Sequence, residues 1–111
     1  DLKSVVADNT SAARFVVGGR IAAVRDLDLR TLGVVLEKNG QPVAMGAGAA
    51  VLGHPAAAVA MLDNRLGRRG QSLPAGSLVL SGGITEAVAV HAGDNVTLRI
   101  QNLGSVSVRF V

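Results

Sequence analysis

The sequence predicts an α+β fold rich in β-structure, with one main helix among about seven short strands. Three observations carry this expectation. Asn39-Gly40 stands between two apolar runs. One stretch, about Pro55 to Arg69, has helical spacing. After Gly70 the chain breaks into short β-prone runs separated by Gly, Pro, Asn and Asp.

Taken in order, Val5-Val6-Ala7 leads into Asp8-Asn9-Thr10-Ser11, a polar cluster that signals a turn or loop. Arg14-Phe15-Val16-Val17 reads as a short buried strand, stopped by Gly18-Gly19. Asp26 to Arg30 alternates charge with Leu, as a connecting segment or strand entry would. Leu32 to Lys38, then Asn39-Gly40, then Gln41 to Met45 predict a β-hairpin, because both central turn positions favour positive φ. Pro42 lacks an N–H, so the returning strand belongs at an edge or begins after it. The small residues Gly46 to Ala50 would let another backbone come close.

The helix starts at Gly53-His54-Pro55, since proline fits a first turn where its missing N–H has no partner. Ala58, Met61, Leu62, Arg65, Leu66 and Arg69 follow at helical spacing, and Gly70 ends it. Leu78 to Leu80, Ala87 to Val90, Val96 to Ile100 and Val106 to Phe110 then read as strands. Pro74-Ala75-Gly76, Ser81-Gly82-Gly83, Ala92-Gly93-Asp94 and Asn102-Leu103-Gly104 are the turns between them.

Composition narrows the function classes. With 111 residues the chain is one domain at most. It is 49% hydrophobic, yet it has two Phe and neither Tyr nor Trp. Its apolar mass is therefore small and aliphatic, and aromatic core anchors are scarce. Such a chain is expected to rely on a neighbouring segment or on another copy, so a homo-oligomer is expected. There is no Cys, which excludes disulfides, thiolate metal sites and cysteine nucleophiles. A reducing cytoplasm is compatible with that. No apolar run reaches membrane-spanning length, and Asp1-Leu2-Lys3 has no signal-peptide character. The net charge of +3 comes from scattered arginines, whose one tight group is Arg65, Arg68 and Arg69. Without aromatic stacking residues beside them, these suit a helix end rather than nucleic acid.

The acids are equally scattered. Asp26 and Asp28 share a face if extended, but they lie beside Arg25 and Arg30, and surface charge pairing explains them. A hard divalent cation needs several converging oxygens, and this chain shows no such group. His54 has two readings: a cap or packing residue beside Pro55, or an acid or base. His91 belongs in a surface turn. Asp8 to Ser11 is either an Asx-type turn or a ligand contact. Ser81-Gly82-Gly83 is either a tight turn or a nest whose hydroxyl and N–H groups hold a carboxylate. Gly104-Ser105 is explained by a bulge. No phosphate loop or nucleophile elbow is present.

Several motifs together carry a resemblance. Val5-Val6-Ala7-Asp8-Asn9 with Ser11, Leu52-Gly53-His54-Pro55, Val59 to Leu62, Pro74-Ala75-Gly76, Ser81 to Thr85 and Leu103 to Val106 fall in order along the chain. This set resembles the fumarylacetoacetate-hydrolase-like hydratases and decarboxylases of meta-cleavage pathways. Leu29 to Val35, Glu37 to Gly40, and Gly46 to Pro55 resemble the decarboxylase branch more than the hydratase branch.

The resemblance implies a β-rich mixed sheet or roll, and residues 1–111 as the C-terminal part of a single catalytic domain whose N-terminal part is absent. It implies a parent lyase that removes carbon dioxide from 2-oxohex-3-enedioate in aromatic catabolism. Mg2+ or Mn2+ would be its cofactor, chelated by the substrate's 1-carboxylate and 2-oxo group. The family's metal-holding glutamates and catalytic lysine lie upstream of the matched stretch. Glu37, Glu86, Lys3 and Lys38 match none of them, so no catalytic or metal role passes to this chain. Substrate binding does pass, to Ser11, Ser81 and Gly82. A complex with the partner hydratase is also implied; a nucleic-acid or membrane partner is not. The alternatives are a 2-hydroxypenta-2,4-dienoate hydratase of the same family and a non-catalytic structural fragment or subunit.

Overall fold

A computed structural model describes residues 1–7 and 12–111. Its framework is a four-stranded sheet of order β2-β1-β3-β4, formed by β1 (Gly33–Lys38), β2 (Gln41–Ala47), β3 (Asn95–Ile100) and β4 (Gly104–Arg109). Two helices accompany it, α1 (Leu2–Ala7) and α2 (Pro55–Gly67), with 3-10 turns at Val24–Asp26 and Gly48–Ala50. The α+β class holds. All three strand pairings are antiparallel, so the mixed sheet that was expected is not what these residues build.

The predicted hairpin is present. Asn39 (φ 52°) and Gly40 (φ 79°) both take the left-handed conformation, which matches the twist of the flanking strands. β2 is an edge strand, as Pro42 requires. Leu36 pairs with Ala44 and Glu37 with Pro42, so Val43 is the extra residue of a bulge that breaks the edge ladder.

Register separates the sheet into two unlike faces. Val34, Leu36, Val96, Leu98, Ile100, Val106 and Val108 share one face, because Val34 pairs with Ile100, Leu36 with Leu98, Leu98 with Val106, and Val96 with Val108. The other face carries Glu37, Thr97, Arg99 and Ser107. There the Thr97 and Ser107 hydroxyls meet at 2.7 Å, and Arg99 Nε donates to Glu37 Oε1 at 3.1 Å. This alternation is the period-2 signature of a sheet wet on one side.

The apolar face is only partly covered. Among the described residues, Leu32, Val34 and Val51 are the buried hydrophobic side chains. The accessible surface is 8400 Å², against roughly 5,700 Å² for a compact chain of this mass. Two apolar hollows of about 480 and 490 Å³ flank Phe15, one against Val96, Leu98, Val106 and Val108, the other against Leu62, Leu73, Leu78 and Leu80.

Three expected strands are corrected here. Residues 14–17, 78–80 and 87–90 join no ladder. Phe15, Val16 and Val17 are also exposed, where burial was expected, and so are Leu78 and Leu80. These apolar runs pair with no strand among the described residues.

The small-residue stretch behaves as predicted. A Cβ on Gly48 would collide with the Leu29 carbonyl oxygen, and one on Gly46 would lie 2.8 Å from the Ile84 carbonyl oxygen. Both positions exist to let backbone pass. α2 ends two residues earlier than spacing predicts, at Gly67. Gly70 (φ 69°) turns the chain away, and the Gln71 N–H returns to the Leu66 carbonyl at 2.9 Å.

Candidate functional site

Of the predicted substrate-binding residues the structure describes Ser81 and Gly82, which lie beside the corner that leads into α2. His54 is the helix cap: its Nδ1 accepts from the Ala56 N–H at 3.0 Å, with Pro55 in the first turn. The capping reading of His54 is therefore the one the geometry supports. Just upstream, Leu52 (φ 49°) and Gly53 (φ 79°) both adopt the left-handed region. A leucine there is strained. The bend it makes turns the chain from Val51, which is buried, to the capping histidine.

The Ser81-Gly82-Gly83 turn packs against this corner. A Cβ on Gly82 (φ 133°) would come within 3.4 Å of Val51 Cγ1, and one on Gly83 within 3.2 Å of the Thr85 carbonyl oxygen. Glycine is needed at Gly82 for its dihedral, and the turn is held close to the Val51 side chain. Ser81 is half-buried, and its hydroxyl makes no hydrogen bond with any described residue. It lines an open groove of about 650 Å³ with Val24, Leu29, Pro55, Val59, Asp63 and Val79.

The groove is apolar along its walls and polar at two points, Ser81 and Asp63. Asp63 Oδ1 accepts from the Leu73 N–H at 3.3 Å, which ties the segment leading to Ser81 onto α2. Sequence reasoning missed Asp63 and the wall residues Val24 and Leu29. The helical period placed Asp63 on no particular face, and nothing in the short-range pattern joined the Val24–Asp26 turn to α2. Ser11 lies outside the described residues, so its distance to Ser81 forms no part of this geometry.

No group of three or more His, Cys, Asp or Glu among the described residues could hold a metal ion. His91 is at the surface, where its N–H donates to Asp94 Oδ2 at 2.9 Å. Two carboxylates depart from their ordinary behaviour. The Asn39 amide and the His91 N–H lower the pKa of Asp94. The Thr31 hydroxyl and the Arg30 N–H lower that of Asp28. Both stay ionised and structural, and neither lines the Ser81 groove.

Residues 3–111 match the model of the family described as fumarylacetoacetate (FAA) hydrolase C-terminal. The chain belongs to this family. Within it, the chain is 64% identical over 111 residues to a 4-oxalocrotonate decarboxylase of Pseudomonas putida, covering 100% of this chain and 42% of that protein. It is 41% identical over 109 residues to a 2-hydroxyhexa-2,4-dienoate hydratase of Comamonas testosteroni, covering 98% and 41%. A solved structure of 4-oxalocrotonate decarboxylase from Pseudomonas putida G7, complexed with magnesium and adipate, superposes with a TM-score of 0.95 at 61% identity. That match covers 100% of this chain and 42% of that one. The chain thus spans less than half the length of these relatives of the fumarylacetoacetate hydrolase family.

Proposed function

We propose that this chain is the C-terminal part of a single fumarylacetoacetate-hydrolase-like catalytic domain, and that the whole protein is a divalent-metal-dependent decarboxylase of 2-oxohex-3-enedioate. The observation that carries the reading is the contrast in identity, 64% to a decarboxylase against 41% to a hydratase. The adipate of the decarboxylase complex also supports it. Adipate is a saturated six-carbon dicarboxylate with the chain length of the proposed substrate.

In this substrate the distal carboxylate is vinylogously β to the 2-oxo group. Breaking the bond to that carboxylate releases carbon dioxide and leaves its electron pair in a dienolate. Protonation gives 2-hydroxypenta-2,4-dienoate or its oxo tautomer. The residues described here do not form a site for Mg2+ or Mn2+, so the work assigned to this chain is binding and orientation. Ser81, with the backbone of Gly82, donates hydrogen bonds to a substrate carboxylate, and Ser11 shares that task. Support comes from the position of Ser81 at the groove, where its hydroxyl bonds to no described residue, and from the apolar wall beside it; a hydrogen bond made there to a carboxylate would be charge-assisted.

The uncovered apolar hollows around Phe15 support the rest of the domain, or another copy, as their cover. We place the protein in the cytoplasm as a homo-oligomer that passes its product to the partner hydratase. Sedimentation of the intact protein as a monomer at micromolar concentration would contradict the oligomer. Reading the coding sequence upstream of Asp1 tests the domain assignment: two glutamates flanking one residue are expected there. The second reading, a non-catalytic fragment, is favoured by the absence of a ligand cluster among the described residues. Magnesium-dependent turnover by the 111-residue chain alone would rule it out.

A further inference from the structure

The tip of the β1–β2 hairpin carries a chemical liability together with the device that restrains it. Asn39 precedes Gly40, both are exposed, and nothing lies within 4 Å of the Cβ position of Gly40. In an Asn-Gly pair the glycine nitrogen can reach the asparagine side-chain carbon, because no following side chain obstructs the approach. Here that side chain is held at both ends. Asn39 Nδ2 donates to Asp94 Oδ1 at 2.8 Å, and Asn39 Oδ1 accepts from the Asn95 N–H at 2.9 Å. The backbone closes the same joint, with the Asn39 N–H donating to the Asn95 carbonyl at 2.8 Å. Asp94 is itself fixed, since its Oδ2 accepts from the His91 N–H at 2.9 Å.

We propose that Asn39-Gly40 is a deamidation site held shut by Asp94 and Asn95, and that release of this latch converts Asn39 to aspartate or isoaspartate. The Gly40 nitrogen attacks Asn39 Cγ and loses its proton. The Cγ–Nδ2 bond breaks and ammonia leaves, closing a succinimide. Water then opens the ring. Attack at Cγ restores the peptide bond and gives aspartate. Attack at the main-chain carbonyl carbon gives isoaspartate, with the chain running through the side chain. No oxidant or reductant is needed.

The attack requires Asn39 Cγ to swing towards Gly40, and both side-chain hydrogen bonds must break for that. The one to Asp94 is charge-assisted, the stronger kind. The reaction cannot be reset by refolding. It replaces the Nδ2 donor with an anionic oxygen facing the Asp94 carboxylate, where like charges repel. Isoaspartate also adds a backbone atom to a two-residue turn that sets the register of β1 on β2.

The test is a time course of the intact protein in mildly alkaline buffer, with aspartate and isoaspartate at position 39 resolved by peptide mapping and mass spectrometry. Folded wild type, wild type in urea, Asp94→Ala and Asp94→Asn are compared, and folding is checked by circular dichroism. Folded wild type is expected to react several-fold more slowly than the urea-unfolded protein. Asp94→Ala is expected to approach the unfolded rate. If Asp94→Ala does not fold, Asp94→Asn is decisive: it removes the charge from the latch and is expected to react faster than wild type. Folded wild type reacting as fast as in urea, or folded Asp94 variants keeping the wild-type rate, would overturn the proposal.

Discussion

His54 Nδ1 accepts the Ala56 N–H at 3.0 Å, across the proline that opens α2. The ring nitrogen thereby satisfies one of the four N–H groups that a helix start leaves without partners. Removing it in His54→Ala should cost the intact protein about 1 kcal/mol of stability. His54→Asn or His54→Ser should restore most of that, because each side chain can supply the same acceptor. Urea titration of the three variants checks this. A catalytic histidine would behave differently: activity would fall in all three, independently of stability.

Gly48 and Gly40 separate two reasons for glycine. A Cβ on Gly48 meets the Leu29 carbonyl, while one on Gly40 meets nothing but carries φ 79°. Gly40→Ala should therefore cost about 1 kcal/mol, the ordinary penalty of a left-handed non-glycine residue. Gly48→Ala must move backbone and should cost about 1–3 kcal/mol. Thermal melts of both variants give the order, and equal losses would mean that the Leu29 loop yields freely.

Acid should weaken the joint between the hairpin tip and the 91–94 turn. The Asn39 amide, followed by the His91 N–H, holds the Asp94 pKa below the ordinary carboxylate value. A carboxylate lowered in the folded state contributes its stability above its unfolded pKa and loses it as pH falls through the folded one. The melting-temperature gap between wild type and Asp94→Asn should therefore be largest near neutrality and close in acid. A gap that widens on acidification would contradict the assignment. Asp28, lowered by Thr31 and Arg30, should follow the same sign.

The hairpin, β3, β4 and the start of α2 were legible because each carries its signal within a few residues. Asn39-Gly40 supplies its own dihedrals, and Pro55 its own φ. The runs at 14–17, 78–80 and 87–90 look equally apolar, yet they form no ladder. Periodicity reports that a segment wants burial, and a strand also needs a partner edge, which no local pattern encodes. The site divides in the same way. Ser81-Gly82 was readable as a polar turn after an apolar strand-like run. The groove was not, because Val24, Leu29 and Asp63 come from segments that meet only in three dimensions.

Ser81→Ala in the intact protein should lose roughly 1–3 kcal/mol of binding or transition-state stabilisation if the hydroxyl holds a substrate carboxylate, as proposed. Its melting temperature should stay near wild type, since the hydroxyl bonds to no described residue. Steady-state kinetics with parallel melts check both halves. Wild-type kinetics would remove Ser81 from the site, and a collapse in stability would mean that it holds the turn instead.

Carbon dioxide release tests the account most directly. The intact protein, supplied with magnesium, is given 2-oxohex-3-enedioate and, separately, 2-hydroxypenta-2,4-dienoate. The account predicts carbon dioxide evolved in step with consumption of the first substrate. Hydration of the second without any carbon dioxide from the first would contradict it and place the protein with the hydratases.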